Sequence, residues 1–288
     1  MLAGAILAAQ PALCQQRPLK TDDADLVGVG RLRLESGVEF LQNQRFSISG
    51  LQGDLVRLGT TSIHVGVGEY AEFQISGVFQ DFLAVSRRDQ PLIAPGFSGD
   101  TTNDFGDLVL ASKFRFTPEK GRRPALGFKF AVELPNANHA SGLGNDETEF
   151  FSWLLASKHF KSVWLLGNLG LSILPSPVQG GRQADMMHYG FGIIVPVGNR
   201  INLAAEINGR QGPARQGNEA QSVVRAGAQI WTGRIRWDVA GLAGLERYDP
   251  DTGVMLGITY EFQAFHRNRD KSSPRMPGLP PLRPAGRR

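Results

Sequence analysis

Val254-Met255-Leu256-Gly257-Ile258-Thr259-Tyr260-Glu261-Phe262, late in the chain, places an apolar or aromatic residue at every second position. Between them stand Met255, Gly257, Thr259 and Glu261, which are smaller or more polar on balance. Period two over this length predicts a β-strand with one oily face and one wetter face. Alone, the stretch fits a strand of a soluble sandwich as well as one of a membrane barrel.

The same alternation recurs upstream. Residues 30–40 set Leu32, Leu34, Val38 and Phe40 against Arg31, Arg33, Glu35 and Glu39. Residues 71–80 set Phe73, Ile75 and Phe79 against Glu72, Gln74 and Gln80, and 107–116 set Leu108, Leu110, Phe114 and Phe116 against Asp107, Lys113 and Arg115. In 125–134, Leu126, Phe128, Phe130, Val132 and Leu134 oppose Lys129 and Glu133. Stretches 186–195, 200–210, 222–231 and 234–245 repeat the pattern, with His188, Glu206, Arg210, Arg225, Arg234, Arg236 and Asp238 on the polar faces. Residues 55–67 alternate poorly, and 149–160 and 163–174 are apolar on both faces. With 254–262 this makes about twelve strands, an even number in the range of single-chain bacterial barrels.

Connector lengths separate the two architectures. Long connections at 41–54, 86–104, 135–148, 175–183, 211–221 and 246–252 alternate with short ones at 68–69, 117–123, 161–162, 196–199 and 232–233. Up-and-down membrane barrels have tight inner turns and long outer loops, whereas sandwiches use Greek-key crossovers. In the clean strands every charge falls on one parity. That is what a lipid-facing surface demands, since Arg or Lys at mid-membrane costs about 2–4 kcal/mol. The expected fold is therefore all-β, an up-and-down antiparallel transmembrane barrel over residues 29–262. Tyr70, Phe116, Phe160, Trp164, Tyr260 and Phe262 are expected in an interfacial belt near the short turns.

Composition agrees. Gly 35, Pro 17 and 20% charged residues suit many strands joined by turns. The net charge of +4 misleads: residues 263–288 hold seven Lys/Arg against Asp270, a surplus of six, so residues 1–262 sum to −2. A basic face for nucleic acid is not indicated. The basic, Pro-rich 263–288 reads as a disordered periplasmic tail. Residues 1–14 read as a signal peptide without the usual basic start, cut before Gln15. The single cysteine, Cys14, would leave with it. Residues 15–28 read as a periplasmic segment or a plug, and stretch 19–27 is a candidate for insertion into the barrel.

The start Arg17-Pro18-Leu19-Lys20-Thr21-Asp22-Asp23-Ala24, the strand with Phe105-Gly106-Asp107-Leu108 and Lys113-Phe114-Arg115-Phe116, and the ending Gly257…Thr259-Tyr260-Glu261-Phe262 resemble one family. It is the outer-membrane barrels labelled as phenol meta-degradation pathway proteins, described as transporters. The resemblance implies an outer-membrane location, outer-membrane lipid and the barrel-assembly machinery as partners, and passage of small, partly apolar compounds. It carries no catalytic residues. Within it, the terminal aromatic strand resembles a barrel's closing strand, although Phe262 stands well short of residue 288.

A barrel of this kind turns its charges inward. The expected lumen lining is Arg31, Arg33, Glu35, Glu39, Lys113, Arg115, Lys129, Glu133, His188, Glu206, Arg210, Arg225, Arg234, Arg236, Asp238 and Glu261. Phe128, Phe130, Tyr260 and Phe262 are expected to face lipid or guide assembly. Two readings of the lining stay open, a structural network of paired charges and a water-filled pore. In 149–160 one apolar face, either Phe151, Trp153 and Leu155 or Phe150, Leu154 and Phe160, must turn inward. No G-x-S-x-G elbow accompanies the histidines, and the acidic loops 98–107 and 145–149 lack EF-hand spacing. The expectation is no enzyme, no cofactor and no metal. The function expected is passage or binding of small compounds, with a structural or adhesive barrel as the alternative. A soluble periplasmic β-sandwich that binds a ligand stands third.

Overall fold

The computed structural model describes residues 17–213 and 216–265. The signal-peptide reading of 1–14 and most of the basic-tail reading lie outside these residues.

Twelve strands form the wall: β1 (Arg31–Arg45), β2 (Leu51–Gly66), β3 (Ala71–Arg88), β5 (Leu108–Thr117), β6 (Ala125–Leu134), β7 (Glu149–Phe160), β8 (Val163–Pro175), β9 (Gln183–Pro196), β10 (Ile201–Gln211), β11 (Gln221–Thr232), β12 (Ile235–Gly244) and β13 (Thr252–Gln263). A short extra strand, β4 (Thr101–Asp104), lies against β3 beyond the end of β5. Each wall strand pairs antiparallel with its neighbours, and β13 returns to β1 in a register running from Arg31 opposite Gln263 to Gln42 opposite Thr252. That pairing closes the sheet, so the wall has no free edge. The quoted stretch near the C-terminus is thus the closing strand.

The wall is inverted relative to a soluble domain. Arg33 and Lys113 are 0% exposed, while Phe191 is 55%, Leu203 52% and Ile258 43% exposed. Stacked pairs Phe114–Phe130 and Phe116–Phe128, with centroids 6.3 and 6.5 Å apart, lie on the outside. Such a surface is stable against hydrocarbon rather than water. The sandwich reading is excluded, since its oily faces would meet in a dry core. Tyr260 and Phe262 continue the outward parity of β13 and stack at 5.6 Å.

Three details depart from expectation. The connection at 41–54 is only residues 46–50, because β1 and β2 run on beyond the span and pack Leu41, Leu51 and Leu55 against Leu83 and Leu242. Residues 86–104 are likewise not all loop: β3 extends to Arg88, and β4 pairs with it. Trp164 is not in the interfacial belt. It is buried on the lumen side and stacks on His159 at 4.9 Å.

The weak alternation of 55–67 has a local cause. Gly59 takes φ +63°, and the β1–β2 register slips by one between Glu35/Ser62 and Val38/Leu58. Inward parity passes from Leu55 and Arg57 to Thr60, Ser62 and His64. A bulge of this kind moves one residue out of the ladder and flips every side chain beyond it.

The lipid contact of this wall can be checked directly. Phe130→Arg puts a charge on the oily face, a change of about 2–4 kcal/mol at mid-membrane. The variant is expected to be lost from the outer-membrane fraction and to lose the difference in gel migration between unboiled and boiled samples. A soluble, well-folded Phe130→Arg protein contradicts the inverted wall.

Candidate functional site

The end bearing the short turns, Gly30 and residues 263–265 is the periplasmic end by the rule for such barrels, and the longer loops mark the outer one. Between them residues 17–28 lie inside the barrel as a belt, held to the wall mainly through side chains.

Its course follows the wall. Gln229 of β11 donates to the Arg17 carbonyl at 2.5 Å, and Arg17 reaches Glu35 of β1 at 3.5 Å and Thr60 of β2 at 2.6 Å. Glu206 of β10, itself paired with Arg225, accepts the amides of Lys20 and Thr21 at 2.8 and 2.7 Å. Asn168 of β8 exchanges two hydrogen bonds, each 2.7 Å, with the backbone of Asp22. Lys113 of β5 binds Asp22 at 3.0 Å and Asp23 at 3.3 Å, and Lys129 of β6 takes the other Asp22 oxygen at 3.0 Å. Ser157 of β7 accepts from Ala24, Arg115 meets Asp25 at 3.4 Å, and Glu72 of β3 accepts the Val27 amide at 2.6 Å.

Packing reinforces the polar anchors. Leu19 is buried against Trp164, Leu166, Ile194 and Ala204, and Ala24 against Ala125 and Leu155. Gly66 lets the belt approach the wall, because a Cβ there would come within 2.1 Å of the Gly28 carbonyl.

The anticipated lining divides by depth. Arg33, Glu35, Glu39, Lys113, Glu206, Arg225, Arg236 and Asp238 are buried on the inner face. Arg31 and Arg33 share Glu261 at 2.8 and 2.6 Å, and Arg236 holds Asp238 at 2.8 Å. Arg115, Lys129, Glu133 and Arg210 are half-buried on the same parity, and Arg210 donates to the Glu219 carbonyl at 3.1 Å. His188 bonds Ser172 at 2.8 Å, and its ring sits edge-on to Phe151 at 5.5 Å and Trp153 at 5.9 Å. In β7 the inward apolar face is therefore Phe151, Trp153 and Leu155, while Phe150 and Leu154 face out.

Arg234 stands in the β11–β12 turn, exposed at the rim, where it lines the same mouth cavity as Arg31, Arg33 and Arg236. The two-residue turn starts with Gly233 at φ +66°, a left-handed conformation that glycine adopts without strain, so β12 begins only at Ile235.

Several lumen groups were not anticipated as site residues. Ser62, His64 and Glu72 form a buried chain, with Ser62 Oγ 2.9 Å from His64 Nε2 and His64 Nδ1 2.9 Å from Glu72. Arg57 bridges Asp81 at 3.2 Å and Glu39 at 3.9 Å. The bulge at Gly59 hid Arg57, Ser62 and His64 by breaking the sequence parity of β2. The run Thr21-Asp22-Asp23-Ala24-Asp25 was a legible hint, since it offers carboxylates to a lumen rich in Lys and Arg.

The outer loops bend over the barrel end. Phe97 and Leu143 pack on the Leu41–Leu51–Leu83 cluster, and Ser49 Oγ donates to the Gly142 carbonyl at 2.7 Å. The loop carboxylates are employed as caps. Asp107 accepts the amides of Asn136 and Ala137, Asp104 that of Asn138, and Asp249 those of Ser222 and Glu246. Burial pushes the Asp107 and Asp249 carboxyls up, against the pull of those amides.

No family model and no curated protein sequence matches the chain. Among solved structures, an outer membrane channel from Pseudomonas putida F1 is similar over 83% of this chain and 98% of its own, with a TM-score of 0.54 and 16% identity. The translocator domain of the autotransporter NalP from Neisseria meningitidis covers 83% and 91% at TM-score 0.47 and 12% identity, and the CymD monoaromatic hydrocarbon channel 83% and 90% at 0.41 and 10%. The last two are loose likenesses that carry no argument, and the first is a likeness of fold.

Removing one member of a buried charge cluster leaves its partners uncompensated, which costs about 3–5 kcal/mol. Lys113→Met is expected to lower the thermal unfolding temperature and expose residues 17–28 to protease. Lys129→Met, at a half-exposed position, is expected to do less. Equal stability of Lys113→Met and the native protein contradicts the anchoring. The inverted wall and the closed sheet make the chain a transmembrane β-barrel of the outer membrane.

Proposed function

We propose that this barrel admits small, partly apolar compounds into its lumen and across the outer membrane, and that residues 17–28 narrow the route. One observation carries the proposal: the belt is held by side-chain anchors on successive strands rather than by strand pairing. Such a segment can shift without opening the backbone ladder of the wall. The inward Phe151, Trp153 and His188 rings give the outer half an apolar patch beside charged groups, which suits solutes with both characters. The resemblance to the phenol-pathway barrels supports the same solute class. In this reading Tyr260 and Phe262, stacked on the outer face of the last strand, are offered to the barrel-assembly machinery.

Planar-bilayer recording tests the proposal. The native protein is expected to conduct weakly, and the double variant Asp22→Ala, Glu206→Ala, which releases the belt at two anchors, several-fold more. Silence from both proteins, each shown to be a folded barrel by gel migration, would leave a structural or adhesive barrel as the better account.

The proposal also holds that the chain is not an enzyme. Ser62, His64 and Glu72 follow the donor order of a hydrolase triad. Yet Glu72 also takes the Val27 amide and Gln74 at 2.7 Å, as a belt anchor would. A fluorophosphonate probe is accordingly expected to leave Ser62 unlabelled, and stoichiometric labelling there would refute the non-enzymatic reading.

A further inference from the structure

We propose that the periplasmic mouth of the lumen holds a binding site for a small organic carboxylate, built on Arg31, Arg33, Arg234 and Arg236. These four guanidiniums line one cavity of about 440 Å³, together with Trp231, Phe262 and a single carboxylate, Glu261. The lining therefore carries a surplus of three positive charges. Glu261 is already shared between Arg31 and Arg33. Asp238 holds one side of Arg236, and Glu35 approaches it at 3.8 Å.

What remains points to a ligand. Arg236 is 2% exposed, yet its Nη1 is buried with no hydrogen-bond partner among the described residues. Leaving such a donor unmet is costly, so Arg236 keeps hydrogen-bonding capacity beyond its bonds to Asp238 and Thr259. Arg234 stands exposed at the rim and pairs with no carboxylate among the described residues. A guanidinium fork matches the two oxygens of a carboxylate. Trp231, on the inward parity of β11 with Gln229, supplies an apolar wall, so the occupant is a carboxylate with an apolar body rather than a strongly hydrated inorganic anion. The turn residues Gly233 and Arg234 and Gln263 at the end of β13 place the cavity at the end where solutes meet the periplasm. The site does not depend on whether the lumen conducts.

Titration calorimetry on the full-length protein in detergent tests this, with benzoate and inorganic phosphate as separate probes. Benzoate is expected to bind saturably, more tightly than phosphate, and to weaken as salt screens the arginines. Arg31→Gln with Arg234→Gln is expected to weaken benzoate binding about tenfold or more, each lost arginine removing a charge-assisted contact. Arg234→Gln alone, at an exposed turn position that the fold tolerates, is expected to weaken it by several-fold. No saturable benzoate binding to the native protein overturns the site, as does unchanged affinity in folded Arg234→Gln. Tighter binding of phosphate overturns the carboxylate assignment.

Discussion

A backbone amide or carbonyl without a partner in hydrocarbon costs several kcal/mol, and the pairing of β1 with β13 is what spares this wall a whole edge of them. The ladder from Arg31–Gln263 to Gln42–Thr252 joins the two ends of the sheet. Once it closes, each side chain must face either lipid or lumen. Phe130, Leu203 and Ile258 go outward, while Arg33, Lys113 and Arg236 have nowhere else to go but inward.

Charges gathered in a narrow interior must then find partners, because a buried ion without one is far costlier than a buried pair. The wall satisfies part of this need by itself, through Arg33–Glu261, Arg236–Asp238 and Glu206–Arg225. The belt satisfies more of it. Asp22 and Asp23 reach Lys113 and Lys129, and the belt's own amides end on Glu206 and Glu72. Belt and wall are thus complementary in charge. The lining is a paired network over most of its depth and leaves its cationic surplus at the periplasmic mouth.

How much was readable in the chain differed from strand to strand. In 125–134 and 254–262 strict alternation gave strand, face and partner environment together, because a half-wet ribbon in a barrel has one role per parity. In 149–174 both faces are apolar, so periodicity could not choose, and Phe151 with Trp153 turned inward only once β6 and β8 had set the register. At 55–67 the alternation failed at Gly59, and with it went sight of Ser62, His64 and Arg57 as lumen groups. Arg234 followed its neighbours' parity in sequence but fell in a turn.

Amino-acid order by itself determined the architecture and the direction of the charges, since period two and alternating connector lengths are local properties that survive without a partner strand. Tertiary structure alone decided which charges meet. Asp22 and Lys113 lie far apart along the chain, and their contact depends on a belt whose course is set by where the closed wall puts its anchors. Pairing across a lumen is a property of closure, and closure is not written in any single segment.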